Sequence, residues 1–455
     1  MSIFKAYDIR GIVGENLTPA VVTQIGQAIG SEAIAQGQSQ IVVARDGRLS
    51  GLALLKALIT GLQAAGCQVI DIGMVPTPVL YFATYHLNTG NGVMLTGSHN
   101  PPNYNGLKIM IGGEALSGER IQALKTRIDN NELSYGSGTL EQVDIGEVYI
   151  KRITDDVKLV RPFKVVIDAG NGVTGVLAPQ LVRALGCEVV ELFCEIDGHF
   201  PNHHPDPSVP ANLAAMIATV TTENADLGFA FDGDGDRLGV IDAKGNIIWP
   251  DRQMILYATD LLKRHPSAQI IYDVKCSRHL DRAIRQHGGQ PLMWKTGHSL
   301  IKAKMKATGA LLGGEMSGHI FFKERWYGFD DALYTAARLL EILSRDSRRP
   351  EEVFADLPDA VNTPELKLEL EQFGEHFVLM QKIHDTFQFD SAVQIATIDG
   401  VRADFSDGWG LVRPSNTTPS LIFRFEADNL AALDRIQAQF RQQLLAIDKQ
   451  LKLPF

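Results

Sequence analysis

Three aspartates, Asp232, Asp234 and Asp236, alternate with glycines in the run FAFDGDGDRLGV. Carboxylates this close repel one another unless a cation lies among them, and the glycines permit the tight backbone that lets all three converge. A calcium loop of the EF-hand type is not favoured, because its acidic ligand at position 12 would fall on Ala243 and an apolar strand follows where a helix should begin. An acidic surface turn is the simpler alternative. A cation held by three carboxylates keeps coordination positions open for a phosphate oxygen, so the run predicts a metal site that handles phosphate.

A serine in a loop rich in glycine, proline and asparagine is the candidate nucleophile. Ser98 lies in MLTGSHNPPNYNGLKI, after an apolar run and directly before His99. Serine is a weak nucleophile until a base or a metal activates it, so a loop that presents it beside His99 and near Lys108 suits covalent catalysis. Taken alone, the segment is explained equally well as a turn.

Two further segments fit an enzyme that handles phosphate. RPSNTTPS begins at Arg413 and combines a guanidinium with donors suited to three phosphate oxygens, namely those of Ser415, Asn416, Thr417 and Thr418. GGEMSGH places Glu315, Ser317 and His319 at alternate positions, and a carboxylate with a hydroxyl is a common grip on a vicinal diol. The first segment alone could be a polar turn, and the second alone is a weak signal.

The motifs TGSHNPP, DGDGDR, GEMSGH and RPSNTTP occur in this order, and KAYDIRG at residues 5–11 precedes them. Together they resemble the α-D-phosphohexomutase family, and within it the bacterial phosphomannomutase/phosphoglucomutase branch. The resemblance implies that Ser98 carries a phosphoryl group and that Mg²⁺ is held by Asp232, Asp234, Asp236 and an oxygen of that phosphoserine. It implies interconversion of hexose 1-phosphate and hexose 6-phosphate through a 1,6-bisphosphosugar that reorients, with glucose 1,6-bisphosphate or mannose 1,6-bisphosphate as activator.

The resemblance also implies which other residues contact the substrate. The expected set is Glu315, Ser317, His319, Lys275, Arg413, Ser415, Asn416 and Thr417. Phosphoryl transfer needs in-line positioning and positive charge around the transferred group, which Lys108, Arg237 and Arg10 could supply, although Arg10 alone is better explained as a surface charge. Proton transfer to and from the sugar hydroxyl needs a group that titrates near neutrality, and His298 is the first candidate, with Lys108 and His99 behind it.

The spacing of strand-like segments predicts the domain organisation. IVVARDGR, FKVVIDAGNG and AQIIYDVKCS each contain a short apolar strand followed by an aspartate (Asp46, Asp168 and Asp273), and an amphipathic helix pattern follows each. Either one α/β unit is used three times or the similarity is generic, and both predict parallel-rich sheets. We expect four mixed α/β domains, the last a distinct α+β domain, around a central active-site cleft. Their expected limits are 1–147 for the phosphoserine loop, 148–249 for the metal loop, 250–358 for the sugar-binding loop and 359–455 for the phosphate-binding C-terminal domain.

A phosphoserine that reacted with water would make the protein a phosphatase. The motif RPSNTTP lies far along the chain from the other three. We therefore expect the last domain to close over the bound sugar phosphate and exclude water.

Composition limits the classes of partner. The formal net charge of −10 argues against nucleic acid, and 45% hydrophobic with 21% charged residues indicates a globular chain. Four cysteines, at 67, 187, 194 and 276, have no paired spacing, so neither a zinc site nor a disulfide framework is expected. The first twenty residues lack an apolar core segment, so we expect no signal peptide or membrane anchor and a cytoplasmic location.

Several alternatives stay open. GNGVTG at 170–175 satisfies the dinucleotide fingerprint, with Glu191 about twenty residues on; a tight strand-to-helix turn is the competing explanation. A serine-dependent sugar phosphatase would use Ser98 without isomerising, and a calcium-binding structural protein would use only the aspartates. Met316 resembles the mannose/glucose branch more than the phosphoglucosamine branch, where glutamine is usual. The histidines at 199, 203 and 204 are left without a role.

Overall fold

A computed structural model describes residues 3–389, 391–416 and 418–455 of the chain. Thr417, expected at the substrate's phosphate, lies outside the described residues. Within them, four β-sheets succeed one another along the chain, and helices flank each sheet. Among the helices described, none combines the length and the apolar character needed to cross a bilayer.

The first sheet is mixed and has seven strands. These strands are β1 Ile9–Ile12, β2 Gln40–Arg45, β3 Gln68–Met74, β4 Gly92–Leu95, β5 Tyr104–Ile111, β6 Glu114–Ala115 and β7 Leu140–Gln142. The helices of this unit are α1 Pro19–Ala35, α2 Gly51–Ala65, α3 Thr77–His86 and α4 Glu119–Asp129. The strand order is β1-β5-β4-β2-β3-β7, with β6 paired to β5.

The second sheet has five strands in the order β12-β11-β10-β8-β9. They are β8 Lys164–Asp168, β9 Glu188–Leu192, β10 Leu227–Phe231, β11 Leu238–Asp242 and β12 Ile247–Ile248. The accompanying helices are α5 Gly146–Asp156, α6 Thr174–Ala184, a short 3₁₀ helix Pro210–Leu213 and α7 Ala214–Thr222. The central strands β8 and β10 are mostly apolar because helices cover both faces of the sheet.

The third sheet has four strands in the order β14-β13-β15-β16. They are β13 Gln269–Asp273, β14 Gln290–Trp294, β15 Leu312–Gly314 and β16 Ile320–Phe322. The helices are α8 Pro250–Arg264, α9 Arg278–Gln286, α10 His298–Thr308, α11 Ala332–Arg345 and α12 Pro350–Ala355. Ser277 caps α9 by accepting from a backbone N–H of its first turn, and Asp331 caps α11 in the same way, so polar residues at these positions fix where the two helices begin.

One strand pattern occurs in all three sheets. A first strand (β2, β8 or β13) lies between two parallel neighbours, and the second of these neighbours is followed in the chain by an antiparallel strand. The antiparallel pairs are β4 with β5, β10 with β11 and β15 with β16. The prediction of three related mixed α/β units is therefore confirmed, with parallel pairing at the centre of each sheet and antiparallel strands beside it, and the repeated pairing favours one unit used three times.

The fourth sheet is antiparallel throughout and differs from the others. Its strands are β17 Val361–Asn362, β18 Leu366–Glu369, β19 Gln394–Ala396, β20 Val401–Phe405, β21 Gly408–Pro414 and β22 Ser420–Ala427. Two helices, α13 Glu375–Thr386 and α14 Leu430–Ile447, complete this unit. Every strand pair is antiparallel, which agrees with the expected α+β domain.

The buried apolar residues form several cores, and the two largest lie within the first three units. One continuous core runs through the first three units and includes Tyr81, Phe229 and Tyr334. The fourth unit has a separate core around Phe423 and Phe440. A smaller apolar cluster of Val274, Trp409 and Leu411 joins the fourth unit to the third, and the buried Arg402 guanidinium donates to the Val274 carbonyl at 2.7 Å beside it.

Candidate active site

Three of the predicted motifs occupy the same place in the three related units. Ser98 lies between β4 and β5, the aspartates lie between β10 and β11, and Glu315 to His319 lie between β15 and β16. In each unit this is the connection from the last parallel strand to its antiparallel partner. The fourth motif joins β21 to β22. Four hairpin connections from four units therefore supply the candidate site.

Ser98 is held in a strained conformation beside the aspartate loop. Its φ of 49° lies in the left-handed region, which non-glycine residues seldom adopt, and the residue is 3% exposed. The Ser98 Oγ lies 3.1 Å from the Asp232 Oδ2 and 3.1 Å from the His99 Nδ1. Burial, followed by the charge of Arg237, lowers the pKa of His99 well below its usual range. A neutral His99 can accept the Ser98 proton, so this contact suits activation of the hydroxyl.

A buried arginine that the motifs did not single out supports this loop. The Arg48 guanidinium donates to four carbonyl oxygens of the loop, those of Ser98 (2.8 Å), Asn100 (2.5 Å), Pro101 (2.6 Å) and Tyr104 (2.9 Å). Its Nε lies 3.2 Å from Asp46, the aspartate that follows β2.

Asp46 also holds this loop in place through hydrogen bonds. Its Oδ2 accepts hydrogen bonds from the Thr96 hydroxyl at 2.8 Å and the Gly97 N–H at 3.0 Å. The two buried charges together determine the position of the loop, although neither is expected to touch substrate.

The three aspartates form one fully buried cluster. Ligand atoms of Asp232, Asp234 and Asp236 lie within 4.8 Å of one another, and each residue is 0% exposed. Burial and then repulsion from its two neighbours raise the pKa of Asp232 well above its usual range. The Oδ1 atoms of Asp234 and Asp236 are buried without a hydrogen-bond partner among the described residues. Unpaired carboxylate oxygens in such a cluster are the donor set that a hard divalent cation requires.

Lys108 brings positive charge to the same cluster. Its Nζ lies 2.7 Å from the Asp234 Oδ2 and also contacts Asp236. Although burial alone would lower its pKa, the two carboxylates hold the pKa of Lys108 well above its usual range. The ammonium group is therefore permanently charged, which favours charge neutralisation over proton transfer for this residue.

The loop between β15 and β16 contacts the aspartate loop directly. Arg237 and His319 form an isolated antiparallel backbone bridge, and the Arg237 Nε donates to the His319 Nε2 at 3.0 Å. Glu315 is 2% exposed and accepts from the Gly297 N–H, while Ser317 is half-buried in the same loop. His298 begins α10, and its ring stacks on His319 with centroids 5.4 Å apart. Burial and the nearby Lys302 ammonium lower the pKa of His298 well below its usual range, so this histidine is neutral.

The phosphate-binding candidates of the fourth unit face the first and third units. The Arg413 Nε donates to the Asp399 carboxylate at 3.0 Å, whereas its Nη2 is buried without a partner among the described residues. An unpaired buried guanidinium N–H suits an anionic ligand. Asn416 contacts the Tyr7 hydroxyl, which also donates to the Thr296 carbonyl at 3.1 Å. Tyr7, which lies in the KAYDIRG motif but was not among the predicted site residues, thus links three units at the site.

Lys275 and Ser415 complete this side of the site. The Lys275 ammonium lies 2.5 Å from the Glu365 Oε1 and 3.9 Å from Asp273, the aspartate that ends β13. Ser415 is 6% exposed, and its Oγ accepts from the Thr418 N–H at 3.2 Å. Arg10 is different, because its side chain is 20% exposed and pairs with Asp8.

The glycines of the turn at 170–175 allow neighbouring backbone to pack closely against the turn. A Cβ at Gly175 would lie 2.0 Å from the Cys194 carbonyl oxygen, and one at Gly172 would lie 3.1 Å from the Gly233 Cα. Protein backbone therefore fills the space against these glycines, and the turn supports the aspartate loop. His203 also has a structural contact, since its Nε2 lies 3.0 Å from the Asp168 carboxylate that ends β8.

Comparison with known proteins identifies the family. Four models match in succession: "Phosphoglucomutase/phosphomannomutase, alpha/beta/alpha domain I" over residues 1–134, domain II over 147–245, domain III over 249–361 and the C-terminal domain over 361–443. The chain belongs to the phosphoglucomutase/phosphomannomutase family. The resemblance to α-D-phosphohexomutases of the bacterial branch is thereby confirmed.

Individual phosphoglucomutase/phosphomannomutase relatives match over their whole length. The phosphomannomutase/phosphoglucomutase of Pseudomonas aeruginosa is 58% identical over 454 residues, covering 100% of this chain and 98% of the relative. The phosphoglucomutase of Neisseria gonorrhoeae is 52% identical and covers 96% of each chain. A crystal structure of a phosphoglucomutase/phosphomannomutase family protein from Burkholderia thailandensis, 55% identical, superimposes with a TM-score of 0.95 over 100% of this chain and 99% of that one.

Proposed function

We propose that this protein is a phosphohexomutase that interconverts hexose 1-phosphates and hexose 6-phosphates, with mannose and glucose phosphates as substrates. The observation that carries the proposal is the contact between the Ser98 Oγ and the Asp232 Oδ2 at 3.1 Å, because it places a nucleophile at a buried carboxylate cluster. Relatives more than 50% identical are named phosphomannomutase/phosphoglucomutase and phosphoglucomutase, which supports the proposal. The limits 1–147, 148–249, 250–358 and 359–455 are our proposal for the four domains.

We assign Ser98 as the residue that carries the phosphoryl group. Asp232, Asp234 and Asp236 would hold Mg²⁺, which when bound supplies positive charge to the phosphoryl oxygens. Lys108 and Arg237 add fixed positive charge on either side, and little further covalent work is required of the protein.

The sugar phosphate is held by the third and fourth units. Arg413, with its unpaired Nη2, receives the phosphate that is not transferred, together with Ser415 and Asn416. Glu315 and Ser317 receive sugar hydroxyls, with Lys275 and His319 at the edges of the same space. We assign His298 as the group that accepts the proton of the attacking sugar hydroxyl and returns it to the leaving oxygen in the reverse step; its lowered pKa leaves it neutral and also makes it a weaker base than the near-neutral group expected from the sequence.

Two transfers are needed, and the intermediate must turn between them. The first gives a 1,6-bisphosphosugar with Ser98 free, and the second returns the other phosphate to Ser98. Water must be excluded while Ser98 carries the phosphoryl group, because water would otherwise hydrolyse the phosphoserine. The contacts of Tyr7 with the third and fourth units support closure of the C-terminal domain over the sugar.

The test is a coupled assay with Mg²⁺ and a trace of glucose 1,6-bisphosphate, which compares mannose 1-phosphate, glucose 1-phosphate and glucosamine 1-phosphate and measures free phosphate in parallel. We expect both neutral hexoses to give 6-phosphates without phosphate release, and EDTA to abolish turnover. Release of phosphate alone would identify a hydrolase, and turnover of glucosamine 1-phosphate alone would reassign the substrate. Activity that Ca²⁺ supports and Mg²⁺ does not would contradict the metal assignment.

A further inference from the structure

A cavity of about 810 Å³ lies between the first and third units, away from the site described above. The first unit lines it with α3, the end of β5 and β6, and the third unit with α10 and the segment 323–329. Lys108 of β5 contacts the aspartate cluster, whereas Gly112, at the cavity, lies four residues of extended chain farther on, or about 13 Å. A volume of this size at a domain interface is typical of a small-molecule site.

One wall of the cavity is aromatic, and both units contribute rings to it. Tyr85 of α3 stacks on Tyr327 with ring centroids 4.9 Å apart, and the Tyr327 ring lies parallel to that of Phe329 at 5.9 Å. Phe329 is buried, but Tyr85 is 38% exposed and Tyr327 is half-buried. The two tyrosines therefore present aromatic surface on which a planar ring can stack.

The charged residues of the cavity wall are mostly cations. Among the described residues that line it, one carboxylate, that of Glu114, stands against four cations, a surplus of three positive charges: Arg120, Lys302, Lys306 and Lys323. The Lys323 side chain is exposed, and its ammonium has no ion pair or hydrogen bond with any described residue. A cavity with this surplus favours an anionic ligand.

Glu114 holds two of these cations close together. Its Oε1 accepts from the Lys306 Nζ at 2.5 Å, and its Oε2 accepts from the Arg120 Nη1 at 3.1 Å. An ammonium has three donors and a guanidinium five, so both side chains keep donors for a ligand. Phosphate oxygens are the acceptors that such a pair of cations suits best. Lys302 is less available, because its Nζ donates to the Asp330 Oδ1 at 2.7 Å.

We infer that this cavity binds a nucleoside phosphate. The base stacks on Tyr85 and Tyr327, and the phosphates lie among the ammonium and guanidinium groups of Lys306, Lys323 and Arg120. A lone phosphate ion would leave the aromatic wall and most of the volume empty. An uncharged aromatic compound would leave the positive charge unbalanced. The bound ligand contacts the first and third units together, so it holds them in one arrangement.

Calorimetric titration of the wild-type chain with ADP, GDP and UDP tests the inference, with pyrophosphate and adenosine as the two halves of the ligand. Each titration is run with and without saturating glucose 1,6-bisphosphate, which fills the proposed active site. We expect a nucleotide to bind once per chain in both conditions, and each half to bind at least about tenfold more weakly. No binding of any nucleotide, equal affinity for either half, or loss of binding when the bisphosphate is present would overturn the inference.

A pair of variants on α10 tests the location of the ligand. Lys306→Glu places a carboxylate where the phosphates should lie, and we expect the Kd of the nucleotide to rise by about 10- to 100-fold, as for loss of a charge-assisted hydrogen bond. Lys304→Glu is the matched control, because Lys304 lies two residues earlier with its Nζ 4.0 Å from the Trp294 ring and does not line the cavity. Equal weakening by both variants would reveal a general charge effect and contradict the site.

Neither lysine belongs to the proposed active site, so kcat and KM for glucose 1-phosphate should stay within about twofold of wild type in both variants. Unchanged kinetics also show that the variants are folded. Absence of mutase activity in the wild type would refute the proposed function and leave the binding result intact, so the two failures are distinguishable.

Hydrogen–deuterium exchange of the wild-type chain gives a readout that needs no variant. We expect the bound nucleotide to slow exchange in residues 112–115 and 323–329, which belong to different units and face each other across the cavity. Protection confined to the loops around Ser98 and Arg413 would place the nucleotide in the proposed active site and refute a separate site.

Discussion

Replacement of Arg48 by lysine should remove hydrogen bonds that hold the loop around Ser98 in place. The Arg48 guanidinium donates to four carbonyl oxygens of the loop and faces Asp46, whereas a lysine ammonium has three donors. At least two interactions are then lost, and hydrogen bonds from charged groups contribute about 1.5–3 kcal/mol each. The free energy of opening the loop should fall by about 3–6 kcal/mol.

Hydrogen–deuterium exchange over residues 96–104 measures this opening locally, which matters because a four-domain chain need not unfold in one step. A loss of 3 kcal/mol corresponds to exchange faster by about two orders of magnitude. We also expect kcat to fall, because Ser98 would relax from its φ of 49° once its carbonyl is released.

Arg45→Lys is the control for this prediction. Arg45 ends β2 three residues earlier and donates to one carbonyl oxygen, that of Asp46, at 3.1 Å. Its replacement should leave loop exchange and kcat close to wild type. If Arg48→Lys retained both wild-type exchange and wild-type kcat, the argument that Arg48 positions the nucleophile would be wrong.

Three further predictions follow from contacts in the site. Ser98→Ala should abolish mutase turnover and incorporation of labelled phosphate from glucose 1,6-bisphosphate, and measurable turnover in this variant would refute a phosphoserine mechanism. Tyr7→Phe should raise KM several-fold by loosening closure, since the lost hydroxyl bonds are worth about 1 kcal/mol, and X-ray scattering should register less compaction with substrate than in wild type. Burial raises the pKa of Asp331 to about 7, so its contribution to stability is full below about pH 4 and is lost as the pH rises through 7. The melting temperature of wild type relative to Asp331→Asn should therefore be higher at pH 5.5 than at pH 8, and an unchanged difference would contradict the raised pKa.

The parts of the site that the sequence predicted are those carried by short local motifs. The cluster of Asp232, Asp234 and Asp236 could be recognised because three carboxylates and the glycines that bend the chain fall within five residues. The repeated units could be recognised because an apolar strand that ends in aspartate is also a local pattern. Each aspartate lies where β2, β8 or β13 ends, and Asp46 and Asp273 then hydrogen-bond to the functional loops of their own units.

The residues that the sequence did not reveal act over long distances along the chain. Arg48 supports a loop about fifty residues away, and Tyr7 contacts Asn416, 409 residues away. Such contacts depend on how the domains assemble, which no local spacing encodes.

The three equivalent hairpin connections place the proposed tasks of the enzyme on three different units. In the proposed mechanism one hairpin carries the nucleophile, one the metal ligands and one the sugar contacts, so each task is assigned to a separate copy of the same scaffold. The connection between β15 and β16 could change for a different sugar while its contact with the aspartate loop, that of His319 with Arg237, is kept. Under the proposed function, substrate recognition and phosphoryl transfer are therefore assigned to different units of the molecule.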